Sequence, residues 1–504
     1  MTASSARAAR PSRPAGPART TAAPRHGDSS GADPFDLIRR HLSPKLALTG
    51  SFAGRGATEA SADGCRVTLS DGRTALDFGS YAVTLLGHRH PAVLAAVRAQ
   101  LDSMPTSTRS LANPVAARAA ARLAGYFADA DTDAGSGRQA LSKVYFGLNG
   151  ADAVEVAVKL ARLATGRSRV LAVRGAFHGK SLGALGLTHS PLYRTGLLGT
   201  ETDVVHVAAE DADAVRRETA RGPGVAAVVF EPVQGENGAA VLPPDVLRRW
   251  CADAHAHGAF AVADEIQCGL RRCGEPSVAL AAGLPVDAVL AGKPLGGGVV
   301  PLSAVVCTEE MYEPLAKDPF LHSATFGGHP MSCAALDPAL TAIEELAAWG
   351  VVLADALDGA LTRLAARHPG VVGAVRGRGL LRGIDFTSAR AAGSVVVELA
   401  GAGLLVSPCL GRPTTVRLLP PLVSTEADIA EAAEILDAAI TVAARTAPET
   451  APAPAPARAP APVATPATRR ASAPARASES VSPSAPVSDP LPDPVSASAS
   501  NDRK

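Results

Sequence analysis

Aromatic residues are scarce in this 504-residue chain: Phe, Tyr and Trp together make up 4% of it, while 47% of the residues are hydrophobic. A core built from so few rings must rest on Ala, Val and Leu, the composition of a soluble globular protein. Net charge is scarce as well. The formal charge is +1 at pH 7, which leaves out the basic footprint of a nucleic-acid-binding domain. No apolar run reaches the roughly 18 residues of a membrane span. The cysteines Cys65, Cys251, Cys268, Cys273, Cys307, Cys333 and Cys409 are odd in number and form no Cys-x-x-Cys pair. They read as reduced thiols of a cytoplasmic protein, and neither as a disulfide framework nor as a zinc site. Lysine is equally rare, with only Lys45, Lys143, Lys159, Lys180, Lys293, Lys317 and Lys504 present.

The two ends are different material. Residues 1–34 are rich in Arg, Ala, Pro and Ser and have no acidic residue before Asp28. That bias is shared with transit peptides, but the prolines and the missing amphipathic stripe read as a disordered arm. Residues 447–504 open with "APETAPAPAPARAPAPVATPATRR". Such a segment buries too little apolar surface to offset chain entropy and is expected to be disordered, either a solubilising tail or a docking segment.

Between the ends, apolar strands alternate with helices. "SKVYFGL", "RVLAVRG", "VAAVVFEPV", "AFAVADEI", "VDAVLAGK" and "PLSAVVCT" read as strands. "GADAVEVAVKLARLATG" and "PPDVLRRWCADAHAHG" read as helices with glycine stops. Strands apolar throughout, alternating with helices, predict an α/β domain with a mainly parallel sheet covered on both faces. We place this large domain at residues 81–335. Residues 35–80 and 336–446 are assigned to a smaller α+β domain.

In open α/β sheets, ligands sit beyond the carboxyl ends of the strands. Asn149, His178, Glu231, Asp264 and Lys293 all fall at or just past such ends. Lys293, in "AGKPLGGG", follows an apolar strand and precedes three glycines. Burial lowers a lysine's pKa and frees it for covalent chemistry, and glycines permit close approach of a flat ligand. The glycines follow the lysine, so a phosphate loop of the Gly-x-x-x-x-Gly-Lys kind is excluded. Asp264 needs a cationic or hydrogen-bonding partner if buried. Either it caps a helix or loop, or it meets the ring nitrogen of pyridoxal phosphate. The strand–turn–helix at Gly150 exposes N–H groups fit for a phosphate, and Phe177 is either a ring cover or a core residue.

These stretches together resemble the class III aminotransferases, the ornithine and acetylornithine aminotransferase-like enzymes of the fold type I pyridoxal-phosphate superfamily. The resemblance spans about residues 36–445. It rests on "LDFGSYAVTLLGHRHPAV", "NGADAVEVAVKLAR", "GAFHGKSLGALGLT", "FEPVQGENG", "ADEIQCG", "AGKPLGGG", "HSATFGGHP" and "VRLLPPL", in the family's order. It implies a seven-stranded sheet in the large domain and pyridoxal 5'-phosphate as cofactor. Lys293 would carry the cofactor as a Schiff base and shuttle the proton, and Asp264 would hold the ring nitrogen protonated. Gln267 would bond the ring's phenolic oxygen, and Phe177 would stack on the ring. Gly150 and Ala151 would bind the phosphate, and His178 and Glu231 would belong to the same cofactor site. Thr325 would reach the phosphate of a neighbouring subunit, which implies a homodimer. Arg417 would clamp the α-carboxylate of glutamate or 2-oxoglutarate, and Glu236 would pair with Arg417 when the other substrate is bound. Tyr81 would contact the distal part of the substrate.

The implied reaction is ping-pong transfer of an amino group between a terminal-amine donor (an ω-amino acid, ornithine-like compound or diamine) and 2-oxoglutarate. A decarboxylase or aminomutase of the same fold, or a catalytically silent scaffold with an interaction tail, are the alternatives; Glu236 with Arg417 and intact Lys293 with Asp264 argue against them. The chain departs from the family pattern at Asn149, Cys268, Arg271, Cys273 and His329, and it lacks an aromatic before Cys65 that ornithine-type members carry.

Overall fold

Seven short strands form the central sheet of the computed structural model, which describes residues 32–108, 110–132, 139–195, 203–222 and 224–446. In chain order they are β1 (Lys143–Gly147), β2 (Arg169–Val173), β3 (Val204–Val207), β4 (Val225–Phe230), β5 (Phe260–Asp264), β6 (Ala288–Ala291) and β7 (Ser303–Cys307). Across the sheet they run β1-β7-β6-β5-β4-β2-β3. Only β7 is antiparallel to its neighbours, so the sheet is mainly parallel, as the unbroken apolar runs predict. β4, β5, β6 and β7 are buried at every position, because helices cover both faces and leave no solvent side to alternate toward. β3 carries no such run: "VVHV" is partly exposed at the sheet edge, which is why its sequence does not announce it.

Register places the chemistry. Asp264 on β5 pairs with Leu290 on β6, so Asp264 and Lys293, just beyond β6, leave the sheet at the same edge. The helix α1 (Gly150–Thr165) starts there too. Asn149 is its N-cap, its side-chain oxygen accepting the Asp152 N–H at 3.2 Å. Gly166 ends the helix at φ 67, its N–H donating to the Arg162 carbonyl at 2.9 Å.

Two four-stranded sheets and a two-stranded pairing of Val233–Gln234 with Ala240–Val241 complete the sheets of the described fold. Glu59–Asp63, Arg66–Leu69 and Thr74–Asp77 are joined by Leu404–Leu405, which lies parallel to Thr74–Asp77. Val372–Arg378, Leu381–Phe386, Thr415–Leu418 and Ser407–Pro408 form the other. One helix, Pro330–Glu345, runs across the division expected at residues 335–336. The arm expected at 1–34 falls outside the described residues except for 32–34, and the tail expected at 447–504 falls wholly outside them. Among the described residues no helix is long and apolar enough to cross a membrane.

The loop after Thr74–Asp77 is strained. Ser80, Tyr81 and Ala82 adopt φ of 38°, 52° and 66° without a glycine among them. Buried Asp77 pins this turn. It accepts the Gly79 N–H at 3.0 Å and the Ser80 hydroxyl at 2.5 Å, and lies 2.8 Å from His88 Nε2. Burial works against its charge, but these three partners outweigh it and hold the carboxyl below its ordinary pKa.

Candidate active site

A chamber of about 210 Å³ opens at the carboxyl edge of the sheet. Its walls are the start of α1 (Gly150, Ala151), the Phe177–Gly179 segment after β2, Glu231 and Glu236 after β4, Asp264, Ile266 and Gln267 at the end of β5, and Lys293. A cavity of about 150 Å³ holds benzene, so this volume suits one substituted ring.

Asp264 and Glu265 are neighbours with opposite fates, because successive strand residues face opposite ways. Glu265 turns from the chamber and accepts the Ser277 hydroxyl and the Val278 and Ala279 N–H groups at 2.7–2.8 Å, while Asp264 caps its own loop by accepting the Ile266 N–H at 3.2 Å. Asp264 faces the chamber and lies 2.6 Å from His178 Nδ1. Burial disfavours an imidazolium, yet the Asp264 carboxylate outweighs it and raises the His178 pKa. His178 Nε2 is buried and has no partner among the described residues. Glu231 accepts the N–H groups of Phe177 at 2.9 Å and Gly235 at 3.3 Å, tying β4 to the Phe177 segment. Burial pushes its carboxyl up. The Phe177 ring is steadied edge-on by Tyr193, with centroids 6.1 Å apart.

Lys293 is enclosed by protein but reaches the chamber. Burial lowers its pKa and the Arg417 cation lowers it further, against the opposing pull of Asp264, Glu236 and Glu231. The shift is toward the neutral amine. The three glycines behind it do not make room for a ligand, contrary to the expectation from sequence. None lines the chamber. Gly297 turns the chain at φ 65, and a β-carbon there would stand 2.7 Å from Val93, so this glycine serves a tight turn packed on the helix Pro91–Ser103.

Arg417 lies on Thr415–Leu418, 1% exposed. Its Nη1 donates to Glu236 Oε1 at 2.6 Å and to Gln267 Oε1 at 2.8 Å. Gln267 reaches that position because residue 235 is glycine: a β-carbon there would fall 1.6 Å from Gln267 Oε1. Burial raises the Glu236 carboxyl, but Arg417 and the Leu410 N–H bring it below its ordinary value.

The remaining predicted residues lie apart. Tyr81 is 72% exposed and not among the chamber walls. Thr325 is exposed in the loop before Pro330–Glu345. The departures at Cys268, Arg271, Cys273 and His329 also lie off the chamber walls: both thiols are buried, Arg271 is bonded to Glu344 at 2.6 Å, and His329 precedes the helix Pro330–Glu345. Asn149 spends its side chain on the α1 cap. Ile266 and Gly179 line the chamber without having been singled out in the sequence. Ile266 lies in the turn just past β5, next to Gln267, and neither it nor Gly179 carried a signal in the sequence.

The donor set fits pyridoxal phosphate: N–H groups at the start of α1, a buried carboxylate backed by a histidine, an aromatic ring, and a lysine held toward neutrality. The family described as aminotransferase class-III matches residues 56–440. A putrescine aminotransferase from Pectobacterium atrosepticum is 35% identical over 384 residues, covering 73% of this chain and 79% of that protein. The ornithine aminotransferase structure from Toxoplasma gondii superposes with a TM-score of 0.72 at 27% identity, over 82% of this chain and 95% of the other. A pyridoxal-phosphate-bound amine transaminase from an uncultivated Pseudomonas species gives 0.69 at 26% identity, over 84% and 99%. With the sheet order, the lysine and the carboxylate wall in place, these likenesses make the chain a member of the class III aminotransferases, pyridoxal-phosphate-dependent enzymes of fold type I.

Proposed function

We propose that this enzyme transfers an amino group from a donor bearing its amine at a chain terminus to 2-oxoglutarate, in two alternating half-reactions at one chamber. The observation that carries this reading is the Glu236–Arg417 pair, 2.6 Å apart and buried beside Lys293. A lone buried guanidinium would disfavour any substrate without a carboxylate to meet it. With Glu236 closed on it, the chamber wall is neutral and suits an amine-bearing alkyl chain. With Glu236 withdrawn, Arg417 offers a planar fork to the carboxylate of a 2-oxo acid.

Bound in the chamber, pyridoxal phosphate supplies the electron sink that allows a proton to leave the amine-bearing carbon. The chain's own residues do the rest. Lys293 Nζ, held toward neutrality, takes up and returns that proton. Asp264, fixed by His178, presents a carboxylate that keeps a proton on the ring nitrogen. Phe177 covers the ring, Gly150 and Ala151 bind the phosphate through backbone N–H groups, and Gln267 orients the ring while holding Arg417. Thr325, on an exposed loop, serves the second site of a cytoplasmic homodimer, and Tyr81 meets the distal part of the substrate.

A screen of amine donors that follows glutamate formed from 2-oxoglutarate tests the reading. Turnover is expected with one or more ω-amino acids, ornithine-like compounds or diamines; glutamate from none of these, with turnover on another acceptor, would overturn it. Removal of residues 447–504 is expected to leave kcat/KM of the purified enzyme within about twofold, since such a segment adds nothing to a packed core. A large loss in that measurement would make the tail part of the catalytic unit.

A further inference from the structure

We propose that the turn Cys409–Arg412 is a latch on Glu236, and that it sets how readily the chamber exchanges its own carboxylate for a substrate's. Glu236 uses its two oxygens differently. Oε1 accepts from Arg417 at 2.6 Å, while Oε2 accepts the backbone N–H of Leu410 at 3.0 Å. The next N–H, from Gly411, donates to the Glu236 main-chain carbonyl at 3.0 Å, and Cys409 Sγ lies 3.6 Å from the Gly235 carbonyl. The turn thus grips Glu236 at side chain and backbone together. The approach is tight: a β-carbon on Gly411 would stand 2.8 Å from the Glu236 carbonyl oxygen. Behind it the turn is anchored, with Arg412 on both Asp385 oxygens at 3.2 and 3.0 Å and the Thr415 N–H on the Arg412 carbonyl at 2.9 Å.

The consequence concerns specificity and rests on the reading of Arg417 as carboxylate clamp. For a dicarboxylate to reach Arg417, Glu236 must leave both Arg417 and Leu410. A hydrogen bond to a charged group is stronger than one between neutral partners, so the Leu410 N–H biases the chamber toward its closed, amine-accepting form. The apparent affinity for a 2-oxo diacid is reduced by the fraction of enzyme that is closed. Weakening the latch therefore tightens diacid binding, the reverse of what simple damage to the site would do.

The test uses the full-length holoenzyme and three variants, Leu410→Pro, Gly411→Ala and Glu236→Gln. Leu410→Pro removes the N–H, and the Leu410 side chain is 42% exposed and outside the core. Gly411→Ala pushes the turn off Glu236 and decides the matter should the proline variant not fold. The probe is glutarate, a dicarboxylate without a reactive carbonyl, with binding read by calorimetry alongside KM for 2-oxoglutarate and for the amine. Glutarate is expected to bind about tenfold tighter to the latch variants, with a lower KM for 2-oxoglutarate, a higher KM for the amine and little change in kcat. Glu236→Gln is expected to tighten glutarate as well. If Glu236→Gln tightens glutarate while both latch variants leave it unchanged or weaker, the latch is overturned and the clamp stands. If Glu236→Gln has no effect, the clamp reading fails and the latch fails with it.

Discussion

Lys293→Ala is expected to lower turnover by at least about 10³-fold, since it removes the proposed covalent attachment point and the proposed carrier of the proton. It is also expected to abolish the visible absorbance of the lysine–cofactor link. After borohydride reduction of the wild-type enzyme, the cofactor mass should be found on the peptide containing Lys293; in the variant it should be found on none. The fold should survive. Lys293 sits at φ 45, a conformation that alanine meets at the same cost, and the amine has no ion-pair partner within salt-bridge distance among the described residues. A melting temperature near wild type with turnover lost is the expected pair of results. Turnover retained within about tenfold would overturn the assignment of Lys293.

Arg417→Ala is expected to raise KM for 2-oxoglutarate by about 10- to 100-fold, the loss of charge-assisted bonds to a carboxylate. KM for the amine should move far less if, as proposed, Glu236 covers Arg417 when the amine is bound. Equal increases in both constants would show that Arg417 is not the clamp. The substitution also strands Glu236. Breaking a buried pair from one side costs about 3–5 kcal/mol, so the melting temperature should fall. A double variant, Arg417→Ala with Glu236→Ala, should recover much of that stability without recovering affinity for 2-oxoglutarate. The comparison separates the binding role from the structural one.

The sequence made the central sheet legible wherever burial on both faces left an unbroken apolar run, as in "VAAVVF" and "AFAVAD", and silent where an edge strand was short and half exposed, as in "VVHV". Lys293, Asp264 and Glu231 could be read from their place at strand ends. The split between Asp264 and Glu265 could also have been read, from strand alternation. The glycines after Lys293 misled because glycine marks both ligand room and tight chain packing, and only the position of Val93 decides between them. The grip of Leu410 and Gly411 on Glu236 was invisible for a different reason. It is made by backbone N–H groups, which every residue but proline possesses, across 174 positions of chain in the Leu410 contact. No residue type announces such a contact.

The turn at Ser80–Ala82 bears on any attempt to engineer this enzyme for heat resistance. Left-handed backbone costs an L-residue about 1–2 kcal/mol, and three such residues follow one another here. Ser80→Gly would relax that conformation but remove the hydroxyl that Asp77 accepts, and Ala82→Gly would relax it at the cost of a buried methyl group. Both changes act next to Tyr81, which is 72% exposed in the turn that Asp77 anchors. Variants selected at this position for heat resistance should therefore be screened from the start on their donor range, since the proposed contact of Tyr81 with the substrate would shift with the same bond rotations.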